Sequence, residues 1–125
     1  MELDRIDHVV LTVADTERSR DFYRDVLGME PLTFGGGRTA LRFGTQRLHL
    51  HLKDSEPEPH AHRPTVGAAD LCLLTATPMA TVRAELAALS ASLFPAGPPG
   101  RLPERHPWRW LTETRAAGLS LETQE

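Results

Sequence analysis

Residues 47–53 read "RLHLHLK", a strand-like run that places His49 and His51 two residues apart. Successive side chains on a β-strand point to opposite faces, so these two imidazoles share one face of the predicted sheet. A third histidine, His8, lies in the alternating, β-branched segment "RIDHVVLTV", which predicts another strand. Imidazole nitrogens that arrive from separate strands are suitable ligands for a divalent metal. Taken by itself, however, the strand pattern favours a structural or surface position for His8.

The first 53 residues predict one helix and four strands that would position these histidines. The helix covers "ADTERSRDFYRDVLG", with Asp15 or Thr16 as its N-cap and Gly28 at its end. Its apolar residues recur at helical spacing and predict a stripe that faces a sheet. The strands are predicted at residues 5–13, 29–34, 39–44 and 46–53, with a "GGG" turn between the second and the third.

The remainder of the chain repeats the beginning of that order. Residues 54–66 hold three prolines and predict a loop, after which "GAADLCLLTA" predicts a strand and "PMATVRAELAAL" a helix. Beyond Ser90 the pattern degrades into a proline-rich stretch, and residues 108–122 indicate two short strands around a turn. The order is therefore βαβββ, a loop, and a second βα followed by a β-rich tail. This is an internal repeat of architecture rather than of residues.

Composition excludes several classes of protein. The chain has 125 residues, of which 40% are hydrophobic and 25% charged, as in an ordinary globular domain. With a net charge of −3 and no cluster of lysine and arginine, it is not expected to bind nucleic acid. No apolar run would span a bilayer and no leader is apparent, so we expect no membrane partner and a cytoplasmic protein. The single cysteine, Cys72, excludes an internal disulfide and a multi-cysteine metal site.

Four segments carry a resemblance to a known family: "IDHVVLTVADTERSRDFYRDVLGME", "RTALRFGTQRLHLH", "EPEPHAHRPTVGAADLCLL" and "TPMATVRAEL". They resemble the vicinal-oxygen-chelate superfamily of glyoxalases, bleomycin resistance proteins and dioxygenases, and within it the glyoxalase domain-containing protein 5 branch. The resemblance implies an α+β fold in which paired βαβββ modules form an open, cup-shaped mixed β-barrel with flanking helices. It implies a single domain over residues 1–125, with module one at about 4–53, a linker at 54–66 and module two at about 67–125.

The resemblance also implies a metal site. Carried over residue by residue, His8 matches the ligand on the first strand, His51 the ligand on the fourth, and Asp70 the ligand on the fifth. Glu122 matches the last ligand and is the candidate catalytic base. The position of His49 is not a ligand in the family, and we expect this side chain at the surface. The metal would be divalent, Zn²⁺, Ni²⁺, Mn²⁺ or Fe²⁺, because a site without thiolate does not select among them.

The tail from about residue 91 departs from the family pattern. Relatives end in a strand that reads roughly "Y.RDP.GN.IE", whereas this chain has "WLTETRAAGLSLE", and Glu122 reaches the ligand position only with one extra residue. Asp70 could equally be a hydrogen-bond acceptor at a strand end, and Glu122 a solvated carboxylate. A further hypothesis is that the family residues survive in another reading frame across residues 111–117, which a comparison of the gene in three frames would test.

The function implied is that of a metal-dependent enzyme for a small oxygenated substrate, with lyase or isomerase chemistry through a metal-chelated oxyanion or enediolate. Three alternatives stay open. The protein could be a metal-free small-molecule or antibiotic binding protein of the bleomycin-resistance type, an extradiol-type dioxygenase with Fe²⁺, or a folded chain whose site is incomplete. By analogy with the family, we expect a homodimer.

Other side chains with reactive or charged groups have ordinary structural interpretations. His60 and His62 lie in the proline-rich loop, where we expect them to be solvated. Arg38 and Arg42 are expected to form salt bridges rather than to bind an anionic substrate. Cys72 is expected to be a small buried residue, since no neighbour would lower the pKa of its thiol.

Overall fold

The structure, a computed structural model, describes residues 1–93 and 119–123. These residues form two helices and six strands, so the predicted α+β class is confirmed. None of the helices in the described part of the chain has the length and apolar character that crossing a bilayer requires. The elements are β1 (His8–Val13), α1 (Thr16–Asp25), β2 (Glu30–Phe34), β3 (Arg38–Phe43), β4 (Gln46–Leu52), β5 (Leu71–Thr75), α2 (Met79–Leu93) and β6 (Leu119–Thr123).

The chain divides into two compact units, Met1–Ala68 and Ala69–Glu125. In the first unit, four strands form one mixed sheet in the order β1-β4-β3-β2. β4, β3 and β2 are antiparallel neighbours, whereas β1 lies parallel to β4. Parallel neighbours require a crossover connection, and α1 begins that connection by leading the chain away from β1.

One face of this sheet forms the core of the first unit. Helix α1 packs on it, against β2, β3 and β4. Alternation along β4 directs Leu48 and Leu50 into this core, where they are 3% and 4% exposed. Each fully buried side chain of this size contributes about 1.5–3 kcal/mol to folding. The other buried apolar side chains of the unit are Leu11, Phe22, Met29, Ala40 and Leu41.

The two ends of α1 follow the chemistry that the sequence predicts. Asp15 is the N-cap, and its carboxylate accepts a hydrogen bond of 2.9 Å from the backbone N–H of Arg18. Gly28 follows the last turn with φ +66°, and its N–H donates to the carbonyl of Arg24 at 3.1 Å. A residue with a Cβ would be strained in this left-handed conformation, which is why a glycine ends the helix.

In the second unit, β5 pairs in parallel with β6. Helix α2 begins directly after Pro78, as predicted, and extends to Leu93, past the predicted end at residue 89. Strand β5 begins at Leu71 rather than at residue 67, so Asp70 directly precedes the strand instead of lying within it. Gly67, with φ +75°, lies in a turn that precedes the first residue of the strand. Of the two predicted tail strands, the second corresponds to β6, and the first lies outside the described residues.

Candidate functional site

The pairing of β1 with β4 places three histidines on the sheet face opposite α1. Val10 lies beside His49, and Thr12 lies beside His51, in the parallel register. Because alternate residues of a strand share a face, His8, His49 and His51 lie together on one side, which we call the histidine face. The buried leucines of β4 occupy the other side, as the alternation of "RLHLHLK" predicts.

His8 is held at one edge of its ring by a carboxylate. Its Nδ1 lies 2.9 Å from Oδ2 of Asp7, and the other oxygen of Asp7 accepts a hydrogen bond from Arg47. The hydrogen bond from His8, followed by that from Arg47, lowers the pKa of Asp7 below its ordinary value. An ionised carboxylate can only accept, so Nδ1 of His8 donates, and in the neutral ring Nε2 then keeps its lone pair. This is the arrangement by which proteins prepare a histidine for metal binding.

His49 is not the surface side chain that the sequence predicts. Its ring stacks on that of His8, with 3.9 Å between centroids and 10° between planes, and lies 5.1 Å from the ring of Phe34. Its Nε2 is buried and has no hydrogen-bond partner among the described residues. Burial lowers the pKa of His49, and electrostatic repulsion between the two rings when both are protonated acts in the same direction. The surface prediction is wrong because it rested on family position alone and could not include contacts from β1 and β2.

His51 is the most buried of the three histidines. Its exposure is 7%, and its Nδ1 is buried without a hydrogen-bond partner in the part of the chain that the structure describes. Burial lowers the pKa of His51, and the charge of Glu56 acts in the opposite direction. A buried imidazole nitrogen with no partner costs free energy unless a further group binds it. The buried Nδ1 of His51 is therefore a nitrogen that a bound metal ion would satisfy.

Glu56 is a candidate site residue that sequence reasoning missed. Its side chain is 8% exposed, although it lies in the polar, proline-rich loop, and its Oε1 is 3.7 Å from Nζ of Lys53. Hydrogen bonds from backbone N–H groups, its own first, lower the pKa of Glu56. The charge of Glu56 also affects His51, so a buried carboxylate belongs to the surroundings of that histidine. Nothing in "DSEPEPH" distinguishes this glutamate from its solvated neighbours.

The two predicted carboxylates occupy positions in the second unit that match the positions of the histidines in the first. Val9, which follows His8, pairs with the residue three positions before His51. Leu71, which follows Asp70, likewise pairs with the residue three positions before Glu122. The pairs that contain the second candidate ligand correspond as well, Thr12 with His51 and Leu74 with Glu122. The candidate ligands of each unit, one at or directly before the start of the first strand and one on its parallel partner, therefore have the same spacing in the register.

The candidate histidines of the first unit have suitable ligand atoms for a divalent metal, but two side chains are too few for a complete site. His8 offers a lone pair at Nε2, and His51 has a buried nitrogen without a partner. Across residues 1–93 and 119–123, no three side chains of His, Cys, Asp or Glu are grouped so that they could hold a metal ion. Two imidazoles alone are fewer than the three or four protein ligands of a typical zinc site. Asp70 and Glu122, the other predicted ligands, belong to the second unit.

The two arginines of β3 have different partners. Arg42 forms the expected salt bridge, with Glu30 on the neighbouring strand, and its Nε donates at 3.0 Å. Arg38 instead lies over the ring of Phe34, 4.8 Å from the centroid, and donates to the carbonyl of Gly35 at 2.9 Å. A guanidinium over an aromatic face is stabilised by the ring quadrupole, so Arg38 extends the row of stacked side chains.

One expectation from the sequence is corrected at β5. Cys72 is exposed rather than buried. It lies in a strand in which exposed and half-buried residues alternate. The prediction of a buried Cys72 is wrong because the structure exposes every second residue of this strand.

Comparison with known proteins identifies relatives in sequence. The family model of the Glyoxalase/Bleomycin resistance protein/Dioxygenase superfamily matches residues 5–116. The chain is 50% identical over 86 residues to virulence protein STM3117 of Salmonella typhimurium, covering 69% of this chain and 60% of that protein. It is 46% identical over 69 residues to glyoxalase domain-containing protein RDO1 of Mycosarcoma maydis, covering 55% of this chain and 39% of that protein. The chain thus spans less than two thirds of the length of either relative.

Solved structures agree with these sequence matches. The crystal structure of STM3117 is similar with a TM-score of 0.68 and 49% identity, over 74% of this chain and 71% of that chain. An integron cassette protein from the mobile metagenome of V. cholerae is similar with a TM-score of 0.72 and 32% identity, over 100% of this chain and 98% of that chain. The glyoxalase domain-containing protein 5 branch stays a prediction. The chain belongs to the Glyoxalase/Bleomycin resistance protein/Dioxygenase superfamily.

Proposed function

We propose that this chain is a metal-dependent enzyme for a small oxygenated molecule, with lyase or isomerase chemistry of the glyoxalase type. Members of the superfamily bind small molecules and commonly use divalent metals. The observation that carries the proposal is the matched register of the two parallel strand pairs, which gives His8 and His51 the same spacing as Asp70 and Glu122. Two imidazoles and two carboxylates form a ligand set for Zn²⁺, Ni²⁺, Mn²⁺ or Fe²⁺.

Each of these residues would have a defined task. A bound divalent metal would polarise adjacent oxygens of the substrate and stabilise negative charge on them. His8 and His51 would supply nitrogen ligands, and Asp7 would hold the Nδ1 proton of His8 so that Nε2 is free to bind. Glu122 is the candidate base: its carboxylate would take a proton from a substrate carbon beside a carbonyl and return it to the neighbouring carbon. The proton of a hydroxyl group on the first carbon would move to the former carbonyl oxygen, so that the isomerisation balances in atoms and charge.

Metal content of the purified protein tests the proposal. We expect stoichiometric divalent metal in the wild type by mass spectrometry, and loss of it in His8→Ala and His51→Ala. The matched control is His62→Ala, which removes an exposed imidazole from the loop. Folding of every variant is checked by circular dichroism. Metal-free wild-type protein that also fails to take up any of the four metals on titration would contradict the proposal.

A metal-free binding protein of the bleomycin-resistance type is the second candidate, and one observation favours it. The rings of His8, His49 and Phe34 pack into one aromatic row on the histidine face, and aromatic side chains favour contact with an aromatic ligand. If this candidate is correct, an aromatic ligand stabilises the protein against heat equally well with and without EDTA. Stabilisation that depends on added metal would favour the enzyme instead.

We also propose that the protein is a homodimer and that it is located in the cytoplasm. Light scattering coupled to size-exclusion chromatography tests the homodimer, which should have twice the 13.8 kDa mass of the chain. A mass that stays at that of one chain across the accessible concentration range would contradict it. Cell fractionation tests the location.

A further inference from the structure

A continuous row of side chains, one from each of the four strands, crosses the histidine face. The ring of His8 stacks on His49 at 3.9 Å, His49 lies 5.1 Å from Phe34, and the guanidinium of Arg38 lies 4.8 Å from the Phe34 centroid. The first two residues are diagonal neighbours across the β1–β4 pair, since Val10 is the direct partner of His49. Diagonal neighbours in a sheet are within reach of aromatic side chains.

His8 is therefore held from two directions. Asp7 fixes the edge of the ring through Nδ1, at 2.9 Å, and His49 covers one face of the ring, with 10° between the two planes. The lone pair of Nε2 lies in the plane of the ring, so a neighbour stacked on the face leaves it open. Rotation of the His8 ring about its χ2 axis would have to break both contacts.

We propose that His49 is a positioning residue that holds the ring of His8 in the orientation required for metal binding. The proposal rests on the proposed function, in which His8 is a metal ligand. It extends that function because the family match does not assign a role to the position of His49. Its physical basis is preorganisation: a ligand whose orientation is fixed before binding loses less conformational entropy on binding.

The same geometry argues that His49 does not itself bind the ion that His8 would bind. The lone pair of an imidazole nitrogen lies in the plane of its ring. The planes of His8 and His49 are almost parallel, and their centroids are 3.9 Å apart. The lone pairs of the two rings therefore lie in separate, nearly parallel planes and would not converge on one ion. The stacked pair can supply one ligand to that ion, and His49 acts through its ring face.

A small residue on β3 leaves room for this arrangement. Ala40 is the direct partner of His49 and is 1% exposed. A methyl group at this position allows the ring of Phe34, which lies diagonally from Ala40 on β2, to lean across β3 towards His49. His49 is thus packed between His8 and Phe34. These two contacts hold the ring of His49 in place.

The test compares two substitutions of His49 by Zn²⁺ titration with a competing chelator. His49→Ala removes the stacked ring and should weaken Zn²⁺ binding by about 10-fold, at the lower end of the 10–100-fold typical of residues that support a ligand. His49→Phe keeps a flat ring without nitrogen and should stay within about 2-fold of the wild type. His62→Ala is again the control. Equal losses in both His49 variants would overturn the proposal, because the nitrogen would then be the group that matters, and so would no loss in either.

A second readout separates this proposal from the function on which it rests. Proton NMR of the metal-free protein reports the orientation of the His8 ring through nuclear Overhauser effects from its ring protons to neighbouring side chains. We expect one ring orientation in the wild type and in His49→Phe, and an averaged orientation in His49→Ala. If the wild type binds no metal at all, the proposed function fails, while the NMR comparison still decides the positioning role. An unchanged His8 signal in His49→Ala would refute that role.

Discussion

The two parallel strand pairs of this chain share a register but differ in their surroundings. β1 and β4 belong to a four-stranded sheet whose other face is covered by α1, whereas β5 and β6 are described as a two-stranded sheet. The first pair carries two imidazoles at the matched positions, and the second carries two carboxylates. The spacing of the candidate ligands therefore depends on strand pairing alone, whereas the burial of these side chains depends on the elements that pack against each strand pair.

The largest effect that would sharpen this comparison is on stability. Leu11 and Leu73 occupy equivalent register positions, and Leu11 is 7% exposed while Leu73 is half-buried. We expect Leu11→Ala to lower the free energy of unfolding by about 2–4 kcal/mol, because it opens a cavity in a closed core. Leu73→Ala should cost about half as much. Urea unfolding measures both values, and a larger loss for Leu73→Ala would show that the second pair is the better packed.

A smaller effect is expected at the helices that follow the first strand of each pair. Asp15 caps α1 with its side chain, whereas the residue before α2 is Pro78, which has no side-chain acceptor. Asp15→Ala should lower the free energy of unfolding by about 1 kcal/mol, because the N–H of Arg18 loses its partner. Pro78→Ala is the matched control and should cost less. Comparable losses in thermal unfolding would mean that the capping hydrogen bond contributes little.

The smallest expected effect is a dependence of stability on pH that arises from His49 and His51. Burial lowers the pKa of His49 and His51 in the folded protein, so the unfolded chain binds protons more readily. Their contribution to stability is therefore complete above about pH 6.5, the ordinary histidine value, and is lost as pH falls through the lower folded pKa. We expect His49→Gln to lose less stability than the wild type between pH 7.5 and pH 5.5. Urea unfolding in EDTA tests this, and identical losses would argue against the burial of His49.

Sequence reasoning predicts the parts of this molecule that depend on local chemistry. Alternation in "RLHLHLK" gives the shared face of two histidines, and Asp15 and Gly28 give the two ends of α1. These features follow from side-chain direction, capping and backbone conformation within a few residues. His51 and Glu122 lie at equivalent positions in the registers of their two strand pairs, and the set of four metal ligands stays a prediction.

The features that sequence reasoning missed depend on contacts between distant residues. His49 is half-buried because a ring from β1 and a ring from β2 meet it, and no pattern within β4 reports either contact. Glu56 is buried within a loop whose composition predicts full solvation. The frame-shift hypothesis concerns residues 111–117. These residues lie outside the described part of the chain, so the hypothesis stays a prediction.

The glycine turn between β2 and β3 has a consequence for how the chain tolerates insertions. Gly36 and Gly37 both have φ +77°, and Arg38 closes the turn by donating to the carbonyl of Gly35. A sheet has a period of two, so one residue added here would exchange the two faces of β3 unless its pairing with β4 moved as well. Thr39 and Leu41 would then face the histidines, and Ala40 would face α1. Lengthening this turn by two residues should therefore be tolerated better than lengthening it by one.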